Sequence, residues 1–174
     1  MDPFIIFINL SGIILIILML ILYKTNNMNK FTWILFWVGI LIGLGWEIPL
    51  SIVNASLAPS IETFILMITA SIWDGGLFLL GYWFVIKICK EPHFISFNIK
   101  ELGVLLIYGQ ISSFIVEILA VMSGGWEYEV TPWNPLLFTF MGGNITLLPQ
   151  LIWFFAPILF YFIAIKIKPK TRSS

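Results

Sequence analysis

Between Ile61 and Lys90 the chain reads IETFILMITASIWDGGLFLLGYWFVIKICK, a stretch long and apolar enough to cross a bilayer as a helix, yet it sets Asp74 near its middle. A carboxylate at that depth is costly unless it faces protein or trapped water, so it marks a functional site by default. Two roles are open to it: a polar lock between helices, or a buried acid that handles a proton.

The rest of the chain has the same character. Of its 174 residues, 60% are hydrophobic and only 10% are charged, and the mean hydropathy is +1.01. A span needs about 20 apolar residues to cross ~30 Å of hydrocarbon. Five runs satisfy this, at about 3–23, 31–53, 61–88, 101–123 and 136–167. The expected architecture is therefore all-α: one membrane domain over 1–174, a five-helix bundle with a polar cavity inside the membrane. Asp2 precedes the first run, no basic segment leads into it and no cleavage site follows, so it reads as a retained helix. A net charge of zero offers no footprint for nucleic acid. The single Cys89 excludes a disulfide framework. The single His93, in a polar connection, is expected to be solvated, and no metal is implied.

Polar residues recur inside the later runs. Glu47 follows Trp46 late in the second, where Gly39 and Gly43 allow close helix approach and Pro49 removes a backbone donor. In the third, Glu62, Thr69 and Trp73 share one helical face and Asp74 is offset from it by roughly 100°. Gln110 and Glu117, seven residues apart, share a face of the fourth. The fifth is interrupted by Asn144, Pro149, Gln150 and Pro157, with Trp153 one turn after Gln150, and the two prolines predict kinks. Residues 124–135, GGWEYEVTPWNP, form an acidic, aromatic loop suited to cap one mouth of a cavity at the interface.

With five spans, all nine basic residues fall on one side: Lys24, Lys30, Lys87, Lys90, Lys100, Lys166, Lys168, Lys170 and Arg172. The positive-inside rule then makes the N-terminus lumenal and the C-terminus cytosolic. At about 1.5 Å per residue, Asp74, Gln110 and Gln150 come out near the midplane, with Glu47, Glu117 and Asn144 roughly 5–12 Å toward the lumenal side and Glu62 nearer that surface. The glycosylation patterns at Asn54 and Asn144 lie against or within the membrane, and neither is expected to carry a glycan.

The order ITASIWDGG…LGYW, LIYGQISSFIVEIL, then PLLF…LPQLIWFFAPI resembles the emopamil-binding protein group, the EXPERA superfamily, over about 31–167. That group includes the sterol isomerase that moves a ring double bond from the 8,9 to the 7,8 position, and the sigma-2 receptor type of sterol-binding protein. Its Thr-Ala-x-x-Trp is matched by Thr69, Ala70 and Trp73, its Gly-Gln by Gly109 and Gln110, and its amide-x-x-Trp with a following Pro by Gln150, Trp153 and Pro157. The chain departs from the pattern where Leu66 replaces a carboxylate, where no histidine stands in the second span, and where Asp74 replaces a glycine. Trp46-Glu47 and Asp74-Gly75 are similar, more loosely, to the small membrane terpene cyclases of fungal meroterpenoid pathways.

Both resemblances imply the same chemistry. A buried carboxylic acid protonates an alkene, aromatic faces stabilise the carbocation, and a second carboxylate removes a different proton. Glu47, Asp74 and Glu62 are the expected acid and base, with Trp46, Trp73, Gln110, Glu117, Asn144, Gln150 and Trp153 lining the substrate and cation site. The expected protein is an isomerase of the endoplasmic reticulum membrane acting on a sterol or isoprenoid without cofactor. A terpene cyclase and a non-catalytic sterol- or lipid-binding protein are the alternatives, and pairing as a homodimer is left open. A proton-coupled transporter would call for inverted repeats, and none is evident.

Overall fold

The computed structural model describes residues 3–53 and 60–171. They form α1 (Pro3–Lys24), α2 (Lys30–Val53), α3 (Ile61–Ile88), α4 (Ile99–Ser123), β1 (Leu136–Phe140), β2 (Gly143–Thr146) and α5 (Leu147–Thr171). All five helices are long and apolar enough to cross a membrane. The connection expected at Asn54 to Ser60, with its glycosylation pattern, lies outside the described residues except for Ser60, and so does the end of the basic tail.

Short polar side chains set where helices start, because the first turn has N–H groups with no intrahelical partner. Asn29 Oδ1 accepts from Thr32 N at 2.8 Å, Ser60 Oγ from Thr63 N at 3.1 Å, and Asn98 Oδ1 from Lys100 N at 3.0 Å. At its other end α4 stops at Gly124, whose left-handed backbone (φ 68°) costs a residue without Cβ little.

Helix α3 is the hub, packed on α1, α2 and α4, while α5 closes the bundle against α2 and α4. Its seam with α2 is the tightest. A Cβ at Gly39 would fall 2.8 Å from Gly75 Cα, and one at Gly43 would fall 2.6 Å from Asp74 Oδ2. Small residues at such a seam let backbones meet, which is how helices gain packing energy in lipid. The 100° offset within α3 decides which neighbour each side chain meets. Thr69 Oγ1 donates to Asn9 Oδ1 at 2.6 Å and Trp73 Nε1 to Ser11 Oγ at 3.1 Å, both on α1, whereas Asp74 turns to α2. Most of α1 otherwise presents Leu, Ile and Phe outward.

The lysine-rich helix ends converge. Lys168 Nζ sits 5.2 Å from the Phe31 ring and 5.9 Å from that of Phe94, and Phe31 meets Tyr82 edge-on. Here the loop before α4 is pinned by Glu101, which is wholly buried. Its carboxylate accepts from Phe94 N at 3.2 Å and from Tyr161 Oη at 3.1 Å, and Tyr161 Oη accepts in turn from Asn98 N at 2.7 Å. His93, expected in solvent, is buried with Nδ1 3.6 Å from Glu101 Oε1. A polar loop can fold inward when a carboxylate supplies acceptors for its backbone, and periodicity along the chain gives no sign of that.

The architecture is mostly helical, but the expected fifth span is corrected. Residues 136–146 form an antiparallel hairpin, and the helix begins only at Leu147. Met141 (φ 49°) and Gly142 (φ 90°) make the turn with positive φ at both central positions, the geometry that suits right-twisted strands. Phe138, Thr139 and Thr146 favour strand, and Met-Gly-Gly-Asn between them is a hairpin signal. The hairpin packs on α4, with Phe138 stacked 6.2 Å from Phe114. Asn144 is thus a strand residue, not part of a membrane helix. Pro149 falls in the first turn of α5, where its missing N–H has no intrahelical role. Pro157, deeper in the helix, frees the carbonyl of Trp153, which packs against Gly109.

Candidate functional site

At the end of the bundle away from the lysines, all five helices and the 124–135 loop enclose a cavity of about 210 Å³. Each element reaches it for a local reason. Glu47 stands on the last turns of α2, Asp74 on α3 at the glycine seam, and Glu117 on α4 one turn short of the packed Ala120. Four tryptophans join them: Trp46, Trp73, Trp153 and Trp126. The floor is an aromatic stack. Trp153 lies on Phe78 at 5.5 Å, Phe78 on Phe160 at 4.6 Å, and Trp46 leans on Trp153 at 5.9 Å.

The carboxylates are differently placed. Asp74 is buried and near enough to Glu47 to feel its charge. Glu47 follows Trp46 on α2, and both line the cavity. Glu117 lies beside the Gln150 side chain and the Thr146 backbone. Asp74 Oδ2, Ser113 Oγ and both Glu117 oxygens are nonetheless buried without a partner of good geometry among the described residues. Buried polar atoms are nearly always paired, so a cluster of unpaired ones around a cavity points to something the cavity receives.

The roof comes from the acidic loop. Asn134, fully buried, donates through Nδ2 to Glu129 O at 2.9 Å and accepts at Oδ1 from Leu148 N at 2.8 Å, tying the loop to the start of α5. Glu127 Oε1 accepts from Asn144 N at 2.8 Å, and Trp126 leans on Phe4 at 5.4 Å. These ties lay Trp126 and Tyr128 over the cavity. Burial of its hydroxyl, then the fields of Glu47, Glu117 and Asp74, hold the Tyr128 phenol well above its usual range, opposed by a hydrogen bond with the Trp126 side chain.

Of the residues expected from sequence, Trp46, Glu47, Trp73, Asp74, Glu117 and Trp153 all line this cavity. Glu62 does not: it is exposed in the first turn of α3. Helical periodicity fixed its face but not its distance from the other acids. Gln110 is a strut, donating through Nε2 to Gln150 O at 3.0 Å, and Gln150 is buried behind Glu117. Asn144 contributes its backbone to the loop rather than its amide to the cavity. The sequence marks the 124–135 loop as a cap but does not single out its Tyr128 and Trp126, nor the Phe4, Phe7 and Ile8 wall from α1, as lining residues. Asn9, Ser11 and Gly12 were the available signal for α1, being small or polar residues on the face that meets α3. Comparison of the chain with protein-family models, with curated proteins and with solved structures returns no match, so the chemistry of this cavity rests on its own residues.

Proposed function

We propose that the cavity binds the reactive end of an isoprenoid or sterol-like membrane lipid and isomerises its double bond by proton transfer. The observation that carries this reading is three carboxyl groups on three helices, facing one apolar, tryptophan-walled cavity. A carboxylic acid of the Asp74 and Glu47 pair gives its proton to one alkene carbon, leaving a carbocation on the other. The second member, as carboxylate, removes a proton from a carbon adjacent to the cation, and the electron pair of the broken C–H bond becomes the new double bond. The pair ends with the proton exchanged, so no electron donor or further reactant is consumed. Positioned acid–base groups contribute about 10²–10⁴-fold each. The faces of Trp46, Trp73 and Trp153 stabilise the cation, by roughly 0.5–2 kcal/mol each. Glu117 and Tyr128 orient the polar end of the substrate. This is the chemistry implied by the resemblance to the EXPERA superfamily, and a terpene cyclase would use the same first step. The clustering of basic residues is the ground for placing the C-terminus in the cytosol and the cavity in the lumenal half of the endoplasmic reticulum membrane.

A second reading is a binding protein without catalysis, favoured by the largely apolar wall, which suits a lipid held by shape and a few polar anchors. Expression in a yeast lacking sterol isomerase, with sterols measured by mass spectrometry, separates the two. The isomerase reading expects conversion by the wild type that falls at least 100-fold in Asp74→Asn and in Glu47→Gln. Folded wild type that converts nothing, yet protects against thermal unfolding with added sterol, leaves the binding protein.

A further inference from the structure

We infer that the apolar groove between α2 and α5 holds the hydrocarbon body of the lipid whose reactive end enters the acid cavity, so that cavity and groove are one bipartite site loaded from the bilayer. This rests on the cavity reading above for the reactive end only.

The cavity is about 210 Å³, below the roughly 300–1,000 Å³ that sites for drug-sized ligands occupy. A lipid of sterol or long-isoprenoid size therefore cannot lie wholly within it. One of its walls backs onto further apolar space. Trp46 and Ile152 line the cavity on one side and, on the other, a groove of about 750 Å³. Every side chain lining that groove is apolar. The groove opens outward, with Leu41 and Phe155 66% and 62% exposed. Gly45 is an exposed residue of its lining, and a Cβ there would meet nothing within 4 Å, so a large side chain has room to enter the groove. Any membrane groove is wetted by lipid chains. What distinguishes this one is the shared wall: Trp46 lines both the groove and the cavity that Glu47 faces, so a chain lying against the indole is one side chain away from the acid.

The test uses the full chain in lipid nanodiscs and a geranylgeraniol analogue carrying a diazirine at its hydrocarbon end, with adducts located by peptide mass spectrometry. Adducts on the α5 peptide holding Leu151 and Phe155, at least tenfold weaker in Gly45→Phe and unchanged in Gly45→Ala, support the bipartite site. Leu151→Trp, which fills the groove from α5, gives the same loss if Gly45→Phe does not fold. Adducts spread over the outward faces of α1 and α4 as well, matching a diazirine phospholipid and indifferent to Gly45→Phe, overturn it. Adducts confined to the cavity at Trp73 and Ser113 overturn the groove and leave the cavity reading intact. Copper-catalysed cross-linking of Leu151→Cys in a Cys89→Ser background overturns it in favour of a second copy of the chain on that face. Asp74→Asn distinguishes the two readings, because it abolishes conversion while groove labelling persists.

Discussion

The bundle buries carboxylates at both ends, and their surroundings are opposite. At the basic end Glu101 is wholly buried and answered: Phe94 N and Tyr161 Oη donate to it, His93 lies beside it, and the loop before α4 is built around it. At the other end Asp74, Glu117 and Ser113 bring polar atoms to a cavity wall that, among the described residues, supplies them no partner of good geometry, and Glu47 lines the same cavity. Burial alone therefore does not mark a functional acid. A satisfied carboxylate organises backbone, because its removal strands the groups that donate to it. An unsatisfied one in a cavity is kept against its desolvation cost, and that cost is repaid only by what the cavity does.

If this contrast holds, substitutions at the two ends separate activity from stability. The largest effect is expected at Asp74. Asp74→Asn should lower conversion at least 100-fold while leaving the thermal midpoint of the purified protein unchanged or higher, since Asp74 Oδ2 has no hydrogen-bond partner among the described residues for the substitution to remove. A fall in midpoint as large as the loss of activity would show Asp74 to be a structural lock. Glu101→Ala should do the reverse, costing about 3 kcal/mol in reversible unfolding by dodecyl sulfate, because one buried N–H and one hydroxyl lose their acceptor. Conversion per folded molecule should hold. Between the two ends, Gly43→Val should cost about 1–3 kcal/mol by overpacking the α2–α3 seam, and it should also cut conversion because the new side chain displaces Asp74 Oδ2. Thr69→Val removes the bond to Asn9, and the same unfolding assay should register only about 0.6 kcal/mol, typical of interhelical hydrogen bonds in lipid.

The last prediction concerns pH. The Tyr128 phenol titrates well above its ordinary value of 10.0 in the folded protein. Its contribution to stability is complete below the unfolded value and is lost as pH rises from there through the folded one. Tyr128→Phe should therefore flatten the alkaline limb of the stability curve, and it should remove one phenol from the tyrosinate titration of the denatured chain near pH 10 while leaving that of the folded protein near pH 10 unchanged. Equal titration of all phenols in both states would mean that the loop does not close over the cavity.

Much of this was legible along the chain. Composition and five apolar runs determined a mostly helical bundle of membrane-spanning length, because a hydrocarbon solvent admits few other arrangements. Trp46, Glu47, Trp73, Asp74, Glu117 and Trp153 stood out as polar or aromatic interruptions of apolar helices, and they meet at one cavity. Periodicity also separated the α1-facing Thr69 and Trp73 from Asp74. Tertiary structure decided the rest. That Glu62, in the first turn of α3, is exposed and stands outside the cavity is a matter of distance along the helix that no periodicity encodes. Residues 136–146 became a hairpin because Gly142 can take the turn and α4 offers a surface to pack on. His93 and Glu101 found each other only when the loop folded back, and Tyr128 met three carboxylates only because Asn134 and Glu127 hold the roof in place. Helix faces follow from local geometry, but which buried acid is answered and which is left facing a cavity depends on contacts between segments far apart in the chain.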